Sequence, residues 1–118
     1  MTNKRLVLST TASFEEAKKI AHALLDRRLA ACVNIVPKIM SVYRWEGKVE
    51  EAEEYLLLVK TTAEAFPSLH EAMQQLHSYE VPECISLAIE EGSERYLNWI
   101  TDSVKKDCPP SHPEHKGV

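Results

Sequence analysis

No apolar run in the 118 residues approaches the roughly 18 that a membrane-spanning helix requires. Basic residues come as the pairs Lys4-Arg5, Arg27-Arg28 and Lys105-Lys106 rather than as a stripe, and the net charge is −4. That balance argues against an electrostatic nucleic-acid binder. The cysteines, Cys32, Cys84 and Cys108, are odd in number and lack CxxC spacing. A disulfide scaffold is therefore not expected, and reduced thiols are the better reading. The N-terminal MTNKRLVLSTTAS has a basic pair but too short an apolar stretch for the core of a signal peptide. A cytoplasmic protein is expected.

What is present suits one soluble domain: 44% hydrophobic and 27% charged residues are ordinary values. A chain of this size buries about two-thirds of its unfolded surface, enough for a core without covalent staples. The expected domain spans residues 1–106. The last stretch, DCPPSHPEHKGV over 107–118, has three prolines and almost nothing apolar, and reads as a disordered tail.

Lys4 to Thr10 reads as a first strand. Ser13 then opens a helix, with Glu16 at capping-box spacing. Phe14, Ala17, Ile20, Ala21, Leu24 and Leu25 make its apolar face, and the helix is expected to end near Arg28 with two basic residues in its last turn. A strand begins at Leu29, and Pro37 marks a bulge or an edge position, since proline cannot donate to a central ladder. Thr61-Thr62 offers caps for a second helix that buries Phe66, Leu69, Met73 and Leu76 and ends near His77. Cys84 to Ile89 is a last strand. Ser93 caps a third helix carrying Tyr96, Leu97, Ile100 and Val104.

The organising stretch runs from Leu29 to Thr61 as two long arms joined at Glu46-Gly47-Lys48, where glycine permits a tight turn. Ile39, Ser41, Tyr43 and Trp45 fall on one face of the outgoing arm, Met40, Val42 and Arg44 on the other. The return arm carries Glu50, Glu51, Glu53 and Glu54, read as a solvated edge, then the apolar Tyr55-Leu56-Leu57-Leu58-Val59, read as covered on both faces. A hairpin this long overshoots a small domain and invites pairing with another chain. An oligomer follows.

The order strand, helix, strand, strand, helix, strand with a closing helix predicts an α+β, ferredoxin-like (split βαβ) fold: an antiparallel sheet with two helices on one face. At this level the chain resembles the CutA divalent-cation-tolerance proteins. The resemblance rests on LAACVNIVPKIMSVYRWEGKVE from Leu29, on Leu58-Val59-Lys60-Thr61, on His77-Ser78-Tyr79-Glu80-Val81-Pro82-Glu83 and on Tyr96-Leu97-Asn98-Trp99-Ile100. It implies a homotrimer joined through the extended hairpin, a role in copper or other divalent-cation tolerance, an architecture like the PII regulatory trimers, and no established catalysis.

Several side chains could carry chemistry. His77 is the metal candidate, because a neutral imidazole suits copper or zinc. The copper site proposed in some relatives implies a cysteine where this chain has Ser9 and a histidine where it has Leu76, so two of three ligands are absent. A histidine hydrogen-bonded at a helix end is the preferred reading. Cys108, His112, Glu114 and His115 match no closed zinc pattern. Cys32 and Cys84, in apolar strands, read as small hydrophobes, and His22 and His70 as surface residues. Trp45, Lys60, Tyr79, Glu80 and Glu83 are candidates for a cleft between subunits, with Lys60 expected to pair with a carboxylate such as Glu83. Trp45 and Tyr43 also suit oligomer anchors. An acylphosphatase-like enzyme is disfavoured, because Ser9–Ser13 has neither the glycine nor the arginine of a phosphate-cradling loop. The alternative to a metal-response protein is a PII-like sensor or scaffold that takes a small ligand or a protein partner between subunits.

Overall fold

The computed structural model describes residues 2–104; the tail and its Cys108, His112, Glu114 and His115 lie outside the described residues. Seven elements follow one another: β1 (Lys4–Thr11), α1 (Phe14–Asp26), β2 (Cys32–Trp45), β3 (Lys48–Thr62), α2 (Phe66–Leu76), β4 (Ile85–Ala88) and α3 (Glu94–Val104). The sheet order is β2-β3-β1-β4, and every neighbouring pair is antiparallel. The return arm β3 thus inserts between β1 and β2, which is the split βαβ arrangement.

Alternation along the strands divides the sheet into two faces. Val7, Leu57 and Val59 point to one side, where they meet Ala17, Ile20 and Leu24 of α1 and Leu69, Ala72 and Met73 of α2 in a single core. Phe14 and Leu25, at the margins of the α1 stripe, remain exposed. The other face carries Leu6, Lys60 and Cys32 in register. There α3 packs on β3 and β1, buries Ile100 and brings Tyr96 to Cys32.

Strand β1 runs one residue past Thr10 and β4 covers only Ile85–Ala88 of the expected Cys84–Ile89, and three other boundaries differ for reasons of packing. Helix α1 stops at Asp26, and neither Arg27 nor Arg28 lies inside it. Arg28 takes a positive φ of 56°, its N–H bonds Leu25 O at 3.0 Å, and the Leu29 N–H bonds Leu24 O at 2.9 Å. This is a Schellman cap with arginine in the place glycine usually holds. Strand β2 starts at Cys32, because Leu29 and Ala30 close the helix cap and fill the core. Finally, Thr61 and Thr62 end β3 instead of opening a helix. The Thr61 hydroxyl donates to Leu29 O at 2.6 Å, and α2 begins after Ala65 with Pro67 in its first turn.

The hairpin is one uninterrupted ladder except between Val36 and Ile39, where Pro37 and Lys38 oppose the single residue Tyr55. Lys38 has φ 55° there. This is a β-bulge on an edge strand, which is where proline belongs. Beyond it Ile39–Trp45 and Lys48–Glu54 run out as an arm, and the molecule measures 48 × 29 × 26 Å. The arm closes at Glu46 (φ 49°) and Gly47 (φ 81°), the two positive φ values that a type I′ turn demands.

Candidate functional site

His77 is the C-cap of α2, its backbone N–H bonding Met73 O. Its buried ring reaches Thr10 O through Nε2 at 2.6 Å, and its Nδ1 accepts the Tyr79 backbone N–H at 3.0 Å. An N–H donor onto Nδ1 requires a lone pair there, so the proton is assigned to Nε2, which donates to the Thr10 carbonyl. Both ring nitrogens are in use. Glu16 Oε2 lies 3.5 Å from Nδ1 and accepts the Ser78 N–H at 2.8 Å. Half of the capping box forms as the spacing predicts, the Glu16 N–H donating to Ser13 Oγ at 3.1 Å. The Glu16 carboxylate secures the chain leaving α2.

Ser9 and Leu76, which stand where the resemblance implies a cysteine and a histidine, serve the packing of the fold. Ser9 is fully buried with its hydroxyl 3.8 Å from Met73 Sδ, and Leu76 packs against the core. Among the described residues no three His, Cys, Asp or Glu side chains converge as a metal would require.

Held by these bonds, the segment after α2 turns back over the base of the arm. The Tyr79 hydroxyl donates to Glu54 Oε2 at 2.6 Å, and the Tyr79 ring lies 4.7 Å from that of His77. Glu54 is only 7% exposed, which corrects its reading as part of a solvated edge. Its side chain shares a face with Ile39, opposite which it pairs, whereas Glu50, Glu51 and Glu53 are exposed. Burial first, then the hydrogen bond to Glu54 and its negative charge, hold the Tyr79 phenol well above its ordinary ionisation range. It is a neutral donor.

Between arm and segment lies a cleft of about 530 Å³ whose walls include Tyr43, Trp45, Glu54, Tyr79, Glu80 and Glu83. The structure therefore brings together Trp45, Tyr79, Glu80 and Glu83. Lys60 lies elsewhere: its ammonium donates to Asn34 Oδ1 on the neighbouring strand, since Lys60 and Asn34 share the sheet face turned away from α1 and α2. Sequence reasoning missed Glu54, because nothing in Glu50–Glu54 distinguishes the one carboxylate that Tyr79 covers. Cys84 packs against the core, and burial pushes its thiol up. Cys32 sits instead beside Asn34 and Tyr96. His22 and His70 are exposed, the latter stacked on Phe66.

A four-stranded antiparallel sheet with helices packed against it and a long projecting hairpin defines an α+β fold of ferredoxin-like design. The chain belongs to the CutA1 divalent ion tolerance protein family, whose model matches residues 5–103. The divalent-cation tolerance protein CutA of Thermus thermophilus is 53% identical over 101 residues, covering 86% of this chain and 98% of its own. A solved structure of the Thermus thermophilus protein matches with TM-score 0.81 at 55% identity, over 82% of this chain and 94% of that one. The structure from Archaeoglobus fulgidus, described as a periplasmic divalent cation tolerance protein, matches with TM-score 0.84 at 41% identity, over 86% and 99% of the two chains. Mouse protein CutA is 47% identical over 91 residues, 75% of this chain. The match spans about half, 51%, of the mouse protein. Among the described residues no helix is long and apolar enough to cross a membrane.

Proposed function

We propose that this chain serves divalent-cation tolerance as a cytoplasmic homotrimer that catalyses no reaction and meets copper or another divalent cation weakly or indirectly. The arm carries this reading. Met40, Val42 and Val49 share one of its faces and are 63%, 61% and 64% exposed, and Ile85 and Leu87 on the short edge strand β4 are exposed as well. Apolar side chains beside open strand edges suit a second copy of the same chain. His77 supports an indirect role, because copper would have to displace the Tyr79 N–H from Nδ1. The loop between β1 and α1 is likewise committed to structure, Thr11 donating to Ser13 O at 2.8 Å while Ser13 caps α1.

Two measurements test it. Light scattering of the full chain is expected to give about three times the 13.4 kDa of one chain; a species of 13.4 kDa would overturn the assembly. Copper calorimetry is run on wild type, on His77→Ala and on a chain truncated after Lys106. Weak binding that survives His77→Ala is expected, and binding abolished by that variant would place a true site at the loop.

The cleft favours a second reading, a PII-like sensor or scaffold. A cavity of about 530 Å³ has the size of a small-molecule site.

A further inference from the structure

We propose that the cleft between the arm and residues 77–83 binds an aliphatic ammonium ion, with a diamine the class that its charge fits. This rests on the sensor reading of the cleft and names its ligand.

Charge is the first ground. The cleft walls hold three carboxylates, Glu54, Glu80 and Glu83, and no lysine or arginine. Lys48 pairs with Trp45 at the arm's tip and is not part of the walls. The second ground is the buried carboxylate. Glu54 takes one hydrogen bond from a neutral phenol, and among the described residues no cation pairs with it. Among the described residues no buried side-chain oxygen lacks a hydrogen-bond partner, so an ammonium ion would add to Glu54 the opposite charge that a largely buried carboxylate favours. The third is the aromatic lining. Tyr43, Trp45 and Tyr79 present rings whose faces attract a cation within about 6 Å, the more so when water is excluded. An alkyl chain between two ammonium groups would lie against Val81 and the rings of Tyr43 and Trp45.

The same features argue against other occupants. A bare metal ion needs ligands that converge, and these carboxylates do not. A phosphate-bearing ligand would face three negative charges with no basic side chain in the wall.

Putrescine titrated calorimetrically into the full-length protein is the test, with tryptophan emission followed in a Trp99→Phe background that leaves Trp45 as the single reporter. One diamine per chain is expected, with a shift in Trp45 emission and weaker binding as salt rises. Glu83→Gln is expected to weaken binding roughly tenfold, the effect of losing one charge-assisted contact, and Glu54→Gln by at least as much. Glu83 is partly exposed, so its variant serves even where Glu54→Gln perturbs folding. Affinity unchanged in Glu83→Gln and in a folded Glu54→Gln overturns the proposal. ATP is the comparison ligand. Binding of ATP without putrescine overturns the amine and keeps the sensor reading; silence from both overturns both.

Discussion

The Tyr79 hydroxyl donates to Glu54 Oε2 at 2.6 Å, fastening the segment that follows α2 to the base of the hairpin arm. Glu54 pairs with Ile39, just beyond the bulge, so this bond sits where the arm leaves the body of the sheet. Tyr79→Phe strips the buried carboxylate of its donor and is expected to lower stability by about 1–3 kcal/mol, measured by urea denaturation.

The same bond has a pH signature. Tyr79 ionises above its ordinary value of 10.0 in the folded chain because burial and the Glu54 charge disfavour phenolate. The unfolded chain therefore releases this proton first, so the contribution is complete below pH 10.0 and declines as pH rises beyond it. Tyr79→Phe lacks that decline. The stability gap between the two proteins is expected to narrow in alkali, and a gap that stays constant between about pH 8 and about pH 11 would contradict the linkage.

His77 holds β1 and the following segment at one point through Thr10 O and the Tyr79 N–H. His77→Ala leaves both backbone groups without their partner, and a loss of about 1–3 kcal/mol is expected. Hydrogen exchange at the Tyr79 amide checks the assignment directly. Exchange in His77→Ala is expected to accelerate there, and an unchanged rate would remove the bond from the account.

At the arm's tip, a Cβ added to Gly47 would meet nothing within 4 Å, so any cost of Gly47→Ala is one of backbone alone. With φ at 81°, that cost is about 1–2 kcal/mol for a residue forced into the left-handed region. Glu46, at φ 49°, is already such a residue. Glu46→Asn is expected to raise stability, since Asn-Gly is the preferred pair for this turn. Urea midpoints of the two variants, moving in opposite directions, are the check.

The arm's apolar face gives a fifth test. Met40→Lys combined with Val49→Lys places charges on one face of the arm without touching the core under α1 and α2. The mass is expected to fall to one chain of 13.4 kDa while far-UV circular dichroism is retained. A double variant that keeps the parental mass would take this face out of the assembly.

Much of this molecule is legible from local pattern. The stripe of Ala17, Ile20, Ala21 and Leu24, the Ser13 cap, the Pro37 bulge and the Gly47 turn each follow from a residue whose backbone preference or periodicity is visible within a few positions. Boundaries set by partners across the fold were less so. Thr61 and Thr62 have the residue type of helix caps, yet pairing with Arg5 and Lys4 keeps them in the sheet, because a ladder already in register satisfies their backbone. Arg28 adopts a glycine-like conformation that residue type does not announce; Leu29, packing into the core behind it, sets the turn.

The candidate site divides along the same line. Sequence alone determined the ferredoxin-like order of elements, the protruding hairpin, and the grouping of His77, Tyr79, Glu80 and Glu83 in one segment, because these depend on periodicity and proximity along the chain. Packing across the fold settles that Glu54, among four carboxylates, is the buried one, that Lys60 bonds Asn34, and that both nitrogens of His77 are committed. Those outcomes depend on which face of a strand meets which loop. One step along a strand moves a side chain to the opposite face of the sheet, and neighbours that lie 25 or 67 positions apart leave no mark in local pattern.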